Sequence, residues 1–152
     1  MSLFRNFKKF KKRVAIIDDD NQKLSYETII IKTNELGKKI KKRTLIVIIS
    51  ENSLGSLLSY IFCVIKKHPV IIIDSKTPFA KIKDILKVYK PEFIFSSKKY
   101  EDNFGKYFNI KYNFFDQYLY KNERNKKISF EKNLSILLST SGSMGGIKFA
   151  KL

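Results

Sequence analysis

At 152 residues and 43% hydrophobic content, the chain is long enough for one domain burying roughly 68–70% of its unfolded surface, and wholesale disorder is excluded. Its 31 Lys and Arg against 14 Asp and Glu leave a formal charge of +17, which favours polyanions as partners: nucleic acid, an anionic membrane surface or phosphorylated ligands. The only arginines are Arg5, Arg13, Arg43 and Arg124, which argues against dedicated bidentate readers of phosphate or guanine; a lysine-dominated balance is also what AT-rich coding produces.

The N-terminal "MSLFRNFKKFKKR" carries Leu3, Phe4, Phe7 and Phe10 at helical spacing among lysines and predicts a short amphipathic helix over residues 1–13. Such a helix could lie on an anionic membrane or dock its phenylalanines on the domain. No apolar segment follows, so a secretory leader is not expected. "RVAIIDDD" then predicts a short strand ending in an acidic turn at Asp18, Asp19 and Asp20. Three adjacent carboxylates suggest a metal at first sight. Neighbours on a strand point apart, which favours a solvated turn.

Ser25 is a helix N-cap candidate, with Tyr26, Ile29, Ile30, Leu36 and Ile40 repeating at three-to-four spacing before a lysine-rich end. "TLIVIIS", "HPVIIID" and "EFIFSS" are continuous apolar runs of the kind buried on both faces of a sheet. Between them lie the apolar helix of "SLGSLLSYIFCVIKK" and a second helix that Thr77 and Pro78 open, carried by Ala80, Ile82, Ile85, Leu86 and Tyr89 to Pro91. This alternation predicts an α/β fold, a mostly parallel sheet with helices on both faces, over residues 14–97. The run Leu57 to Ile65 is too short to cross a membrane.

Cys63 is the only cysteine, so an intrachain disulfide is excluded, and the residue reads as a small core side chain in a reducing compartment, by default the cytoplasm. His68, the only histidine, excludes a multi-histidine metal site and reads as structural. Residues 98–133 form a variable aromatic and basic segment. In it Tyr107, Asn109, Lys111 and Asn113 alternate with Phe108, Ile110, Tyr112 and Phe114, as in a half-buried strand, although interleaved lysines and aromatics also stack single-stranded bases.

Residues 134–152 end the chain in a hairpin. "LSILLS" is a fourth buried strand, and it delivers Thr140, Ser141, Gly142, Ser143, Met144, Gly145, Gly146, Ile147 and Lys148 before a return strand in "KFAKL". Glycines let backbone N–H groups converge, hydroxyls add rotatable donors and a lysine adds a point charge, the inventory for holding a polyphosphate. It is not a Walker A loop, because Phe149 follows Lys148 where a magnesium-binding Ser or Thr would stand. Nor is it a dinucleotide fingerprint, because a strand follows rather than a helix. A hairpin turn without a ligand is the plainer alternative.

The segment resembles the phosphate loop of adenylate-forming enzymes, the acyl-CoA synthetase, luciferase and nonribosomal adenylation-domain superfamily, whose pattern is hydroxyl-Ser-Gly-hydroxyl-hydroxyl-Gly-x-Pro-Lys. Thr140, Ser141, Gly142, Ser143, Gly145 and Lys148 match without a gap, while Met144 replaces a hydroxyl and Ile147 the proline. "LSYETI", "HPVIIIDSKTP" and "KPEFIFSS" are similar in order and spacing to the family's earlier segments, so the resemblance covers about Val14 to Leu152.

The resemblance implies the N-terminal subdomain of an acid-activating ligase that turns ATP into AMP and pyrophosphate. Thr140, Ser141, Gly142, Ser143, Gly145, Gly146 and Lys148 would bind the β- and γ-phosphates of magnesium-bound ATP while a substrate carboxylate attacks the α-phosphate. It implies no catalytic residue and no metal ligand in this chain, because the family's adenine site, acyl pocket, magnesium-binding acid and lid lysine lie beyond the loop. Activity would need those portions, from a continuation or a partner chain, and the uncovered hairpin is expected to self-associate without them. The alternative is a non-catalytic basic α/β module binding nucleic acid or another polyanion, nonspecifically through lysine–phosphate contacts.

Overall fold

The computed structural model describes residues 7, 9–105, 108–123, 135–140 and 148–151, with backbone alone for 137–140 and 148–151. The chain divides into two compact units, Met1–Lys41 and Lys42–Leu152. In the first, β1 (Val14–Ile17) and β2 (Lys23–Ser25) pair antiparallel. The acidic turn joins them: Asp18 Oδ1 accepts the Gln22 N–H at 2.7 Å and Asn21 takes a positive φ of 59°, which asparagine tolerates. One of the three aspartates thus closes a turn.

Helix α1 (Tyr26–Lys39) starts where expected, because extended Ser25 turns its Oγ to accept the Thr28 N–H at 3.1 Å. Ile29, Thr33 and Leu36 recur at i, i+4 and i+7 on its buried face, and Lys38 and Lys39 close it. Of the amphipathic helix expected over residues 1–13, Phe7 and Lys9–Lys12 are in turns, with Arg13 N donating to Phe10 O at 2.8 Å, and the Phe7 ring meets Tyr26 edge-on. The rest of it lies outside the described residues.

The second unit runs β3 (Ile46–Ser50), α2 (Leu54–Ile65), β4 (Val70–Asp74), α3 (Phe79–Tyr89) and β5 (Phe93–Ser96). A 3-10 turn (Lys98–Tyr100), the short α4 (Glu101–Phe104), and strands β6 (Phe108–Phe114), β7 (Gln117–Asn122), β8 (Ile136–Thr140) and β9 (Lys148–Lys151) follow. The seven strands β3 to β9 form one sheet in the order β6-β7-β5-β3-β4-β8-β9. Its centre, β5-β3-β4-β8, is parallel, flanked by the antiparallel hairpin β6-β7 next to β5 and by the single antiparallel strand β9 next to β8.

Ile46, Val47, Ile48 and Ile49 are each at most 1% exposed, so β3 is buried on both faces as its unbroken apolar run required. Val47 and Ile49 join Ile71, Ile73, Ile94 and Tyr120 under Ile82 and Ile85 of α3. On the opposite face, α2 lies against β3 and β5 and buries Leu58, Phe62 and Cys63. Removing one such isoleucine to alanine would cost about 2–5 kcal/mol. Helices therefore cover both faces, as the alternation implied.

Two local expectations change. Pro78, not Thr77, is the N-cap of α3 and offers no side-chain acceptor, while Thr77 N donates to Asp74 O at 2.9 Å. Ala80 is exposed rather than core-facing. The helix ends on Lys90, which adopts the left-handed conformation at φ 43° just before Pro91.

The segment 98–133 contains the largest departure. β7 is a central strand between β5 and β6, with Gln117, Leu119 and Tyr120 fully buried. In β6 the register shifts at Lys111, leaving Ile110 38% exposed while Phe114 is buried, so the strict alternation expected there breaks at the bulge.

His68 is structural. Its Nδ1 accepts the Thr44 N–H at 3.2 Å, its ring lies 5.3 Å from Phe62, and burial, with the Arg43 and Lys66 cations, pushes its pKa down to about 4. The unfolded chain takes up this proton near pH 6.5 and the fold only near 4, so stability falls as pH drops through that window. Relative to His68→Asn, which keeps an acceptor and does not titrate, the native chain should lose about 3 kcal/mol between pH 7 and 4. Urea unfolding of both proteins at several pH values reads this difference, because carboxylate contributions common to both cancel. An unchanged difference would mean that the imidazole is not held neutral.

Candidate functional site

All four parallel strands end at one edge of the sheet, where ligands of open α/β sheets collect. Ser50 of β3 stands beside Asp74 of β4, and Leu138 of β8 beside Ile72. Thr140 lies two residues past Leu138, as Asp74 lies two past Ile72, so the glycine-rich loop leaves the sheet at this edge. β9 returns antiparallel with Lys148 opposite Thr140, and the strand-loop-strand frame expected from the sequence is present. Ser141, Gly142, Ser143, Gly145 and Gly146 lie outside the described residues, and of Thr140 and Lys148 only the backbone is described.

The rest of the edge is a connected polar network that the sequence reading did not single out. Glu51, immediately after β3, accepts the Ser97 hydroxyl at 3.1 Å and pairs with the Lys99 ammonium, which tethers the ends of β3 and β5. The hydrogen bond to Glu51 holds Lys99 above the usual lysine range. Ser75 N donates to Ser50 O at 3.0 Å, and Tyr100 donates its hydroxyl to Ser75 O at 2.6 Å, tying the ends of β3, β4 and the 3-10 turn together. Asp74 Oδ1 accepts the Lys76 N–H at 2.8 Å, so the aspartate matched to the family's strand-to-Asp segment shapes the turn into α3. Residues placed directly after buried strands were the available signal for Glu51, Ser75 and Ser97.

α2 starts at the same edge. Ser53 Oγ accepts the Ser56 N–H at 3.4 Å, and Asp116, in the turn between β6 and β7, accepts the Gly55 N–H at 2.7 Å. The donors of this helix start are thus partly taken up within the protein, and the negative Asp116 suits its dipole.

No family model and no curated protein sequence matches the chain. Solved structures match it in fold. MatB from Rhodopseudomonas palustris, in its apo form, has a TM-score of 0.73 at 14% identity over 99% of this chain and 34% of its own; its ATP-bound form scores 0.69 over the same shares. O-succinylbenzoate Coenzyme A synthetase (MenE) from Bacillus subtilis, in complex with AMP, scores 0.64 at 14% identity over 97% of this chain and 41% of its own. The N-terminal subdomain of Klebsiella oxytoca NpsA, in complex with 3-hydroxyanthranilyl-AMSN, also scores 0.64, at 18% identity over 97% and 38%. These are adenylate-forming enzymes, the family that the loop resembles, and this chain has the fold of their N-terminal subdomain. It spans between a third and about two fifths of their length. No helix among the described residues is long and apolar enough to cross a membrane.

Gly55 sets how closely α2 approaches the β6–β7 turn. A Cβ there would stand 2.7 Å from Asp116 Oδ1, 2.8 Å from Gln117 Cγ and 3.0 Å from Phe114 O. Gly55→Ala must therefore displace backbone as well as side chain, and it should destabilise the fold by about 1–3 kcal/mol despite the better helix propensity of alanine. Urea unfolding measures this, and an unchanged or raised midpoint would mean that the approach is not tight.

Proposed function

We propose that this chain is the N-terminal part of an acyl-adenylate-forming ligase of the acyl-CoA synthetase kind, and that its share of the site is the ATP phosphate loop. Thr140, Ser141, Gly142, Ser143, Gly145, Gly146 and Lys148 are its phosphate-binding residues. One observation carries the reading: a loop of glycines and hydroxyls, bracketed by the paired ends Thr140 and Lys148, leaves the parallel sheet at its carboxyl edge. The ATP bound to one MatB structure and the AMP bound to MenE, on the same fold, support a nucleotide as ligand.

The chemistry asked of these residues is electrostatic. As a carboxylate attacks the α-phosphate, negative charge builds on departing pyrophosphate, and donors fixed in advance around the β- and γ-phosphates stabilise it. Backbone N–H groups of Gly142, Gly145 and Gly146 and the hydroxyls of Thr140, Ser141 and Ser143 suit that task, with Lys148 as the cation. Magnesium would accompany the nucleotide. Among the described residues no group of three or more His, Cys, Asp and Glu side chains is placed to hold a metal, so the ion would rest on the phosphates and on residues outside them. Groups that bind the acid and orient its attack would come from a continuation of the chain or a partner, in a soluble, cytoplasmic enzyme.

Accordingly the 152 residues alone should bind ATP without forming acyl-adenylate. In equilibrium titrations Lys148→Ala should weaken ATP binding about tenfold, the loss of one charge-assisted contact worth about 1.4 kcal/mol. Met144→Thr with Ile147→Pro, which restores the family's loop pattern, should bind at least as tightly as the native chain. ATP affinity indifferent to both changes would overturn the loop assignment. Pyrophosphate exchange by this chain alone, dependent on an added carboxylic acid, would overturn its incompleteness.

A further inference from the structure

The positive charge of the second unit is polarised along the strand direction. At the carboxyl edge, Glu51, Asp74 and Asp116 stand against Lys76, Lys98, Lys99 and Lys148, close to balance among the described residues. The opposite edge, where the parallel strands begin, collects Lys42 and Arg43 before β3, Lys66 and Lys67 before β4, and Lys90 before β5, all exposed, with Glu92 as the nearby carboxylate. Farther out on this edge, Glu123 pairs with Lys111 and Lys121. Lysines supplied by coding bias alone would be shared between the two edges.

The fold itself brings these cations together. β5, β3 and β4 are adjacent, and Ile46 is in register with both Val70 and Phe93, so the three loops before them lie side by side. Arg43 Nε donates to Lys67 O at 2.8 Å, Ile46 N to Pro69 O at 3.0 Å and Glu92 N to Leu45 O at 3.3 Å, fixing each loop to the next. Lys67 and Lys90 both take the left-handed conformation, with φ of 57° and 43°. At about 4.8 Å between strands, the cationic row is roughly 10 Å long, the rise along a DNA duplex axis that carries about three phosphates of one strand at about 3.4 Å of axis each.

We propose that this amino edge is a nucleic-acid backbone surface, a second polyanion site at the end of the sheet opposite the phosphate loop. A row follows a linear polyanion, whereas a membrane would call for apolar side chains to insert beside the charge, and among the described residues only Val88, and Ile110 farther out on β6, are exposed large apolar side chains near it. Lysines as point charges, with Arg43 engaged by a backbone carbonyl, hold phosphates without reading bases. Binding is therefore sequence-independent and steeply salt-dependent.

The test compares two variants of equal net charge in anisotropy titrations with a mixed-sequence DNA duplex across a range of salt. The first carries Lys42→Gln, Lys66→Gln, Lys67→Asn and Lys90→Asn, the asparagines chosen for the left-handed positions. The second carries Lys76→Gln, Lys81→Gln, Lys83→Gln and Lys98→Gln. The edge variant should lose at least about tenfold in affinity and roughly three units of the log–log salt slope, the control less than about threefold. Acetylation footprinting of the native chain, which needs no variant to fold, should show the duplex protecting Lys42, Lys66, Lys67 and Lys90 but not the control lysines. Equal losses, uniform protection, or absence of binding at low salt would each overturn the proposal. So would edge-dependent capture by vesicles containing 30% phosphatidylserine with the duplex left unbound.

Discussion

The burial of β3, β4 and β5 on both faces, above all of β3, governs the rest of the second unit. A strand whose neighbours on both sides run parallel must be reached by crossovers, and crossovers put helices on the faces. Ile46 to Ile49 can then be apolar at every position, because Val47 and Ile49 meet α3 while α2 packs on the other side. With both faces of β3 covered, the charged groups nearest it gather in the loops at the two ends of the strands. One end holds the starts of α2 and α3 and the exit of the glycine-rich loop, and the other holds the basic loops. The two edges differ in charge because different loops form them, and the strand direction sorts those loops.

What the sequence made legible follows from the same constraint. Continuous apolar runs such as "TLIVIIS" have one reading in an α/β chain, and the Ser25 cap and the Pro91 stop have local causes, so they were placed closely. β7 was not legible. "QYLYKN" carries Gln117 and two tyrosines, with no Val or Ile, yet Gln117, Leu119 and Tyr120 are fully buried. Its burial comes from β5 and β6 pairing on either side, which is tertiary context that local pattern does not carry. The amide of Gln117 and the hydroxyl of Tyr120 find no hydrogen-bond partner among the described residues, and burial pushes the Tyr120 phenol up to about 12. Polar side chains placed so are the ones that local reasoning assigns to a surface.

The site was legible in part for a different reason. A run of glycines and hydroxyls declares its backbone chemistry in the sequence, because few other purposes call for so many flexible and donor-rich residues together. Glu51, Ser97 and Lys99 declare nothing singly. They become a group only when β3 and β5 are adjacent and parallel, because Glu51 lies 46 residues from Ser97 in sequence and farther still from Lys99. Strand adjacency was not part of the sequence reading, and the network therefore escaped it.

The carboxyl-edge network also bears on how a polyphosphate would be received there. Glu51 is engaged by Lys99 and Ser97, Asp74 by its own turn and Asp116 by the start of α2. The edge thus presents one carboxylate paired with a cation and two that accept backbone N–H groups, and an approaching anion meets less repulsion than three free acids would give. The same groups fix the ends of β3, β4 and β5, so the frame next to β8 is held before any ligand arrives. Preorganisation of this kind lowers the entropy that binding must spend. Met144 and Ile147 then become the informative departures: against the loop pattern that the sequence resembles, one lacks a hydroxyl and the other the fixed φ of proline. On the proposed reading, such changes would act on phosphate affinity while the frame is held by other residues, which separates the binding question from the folding one.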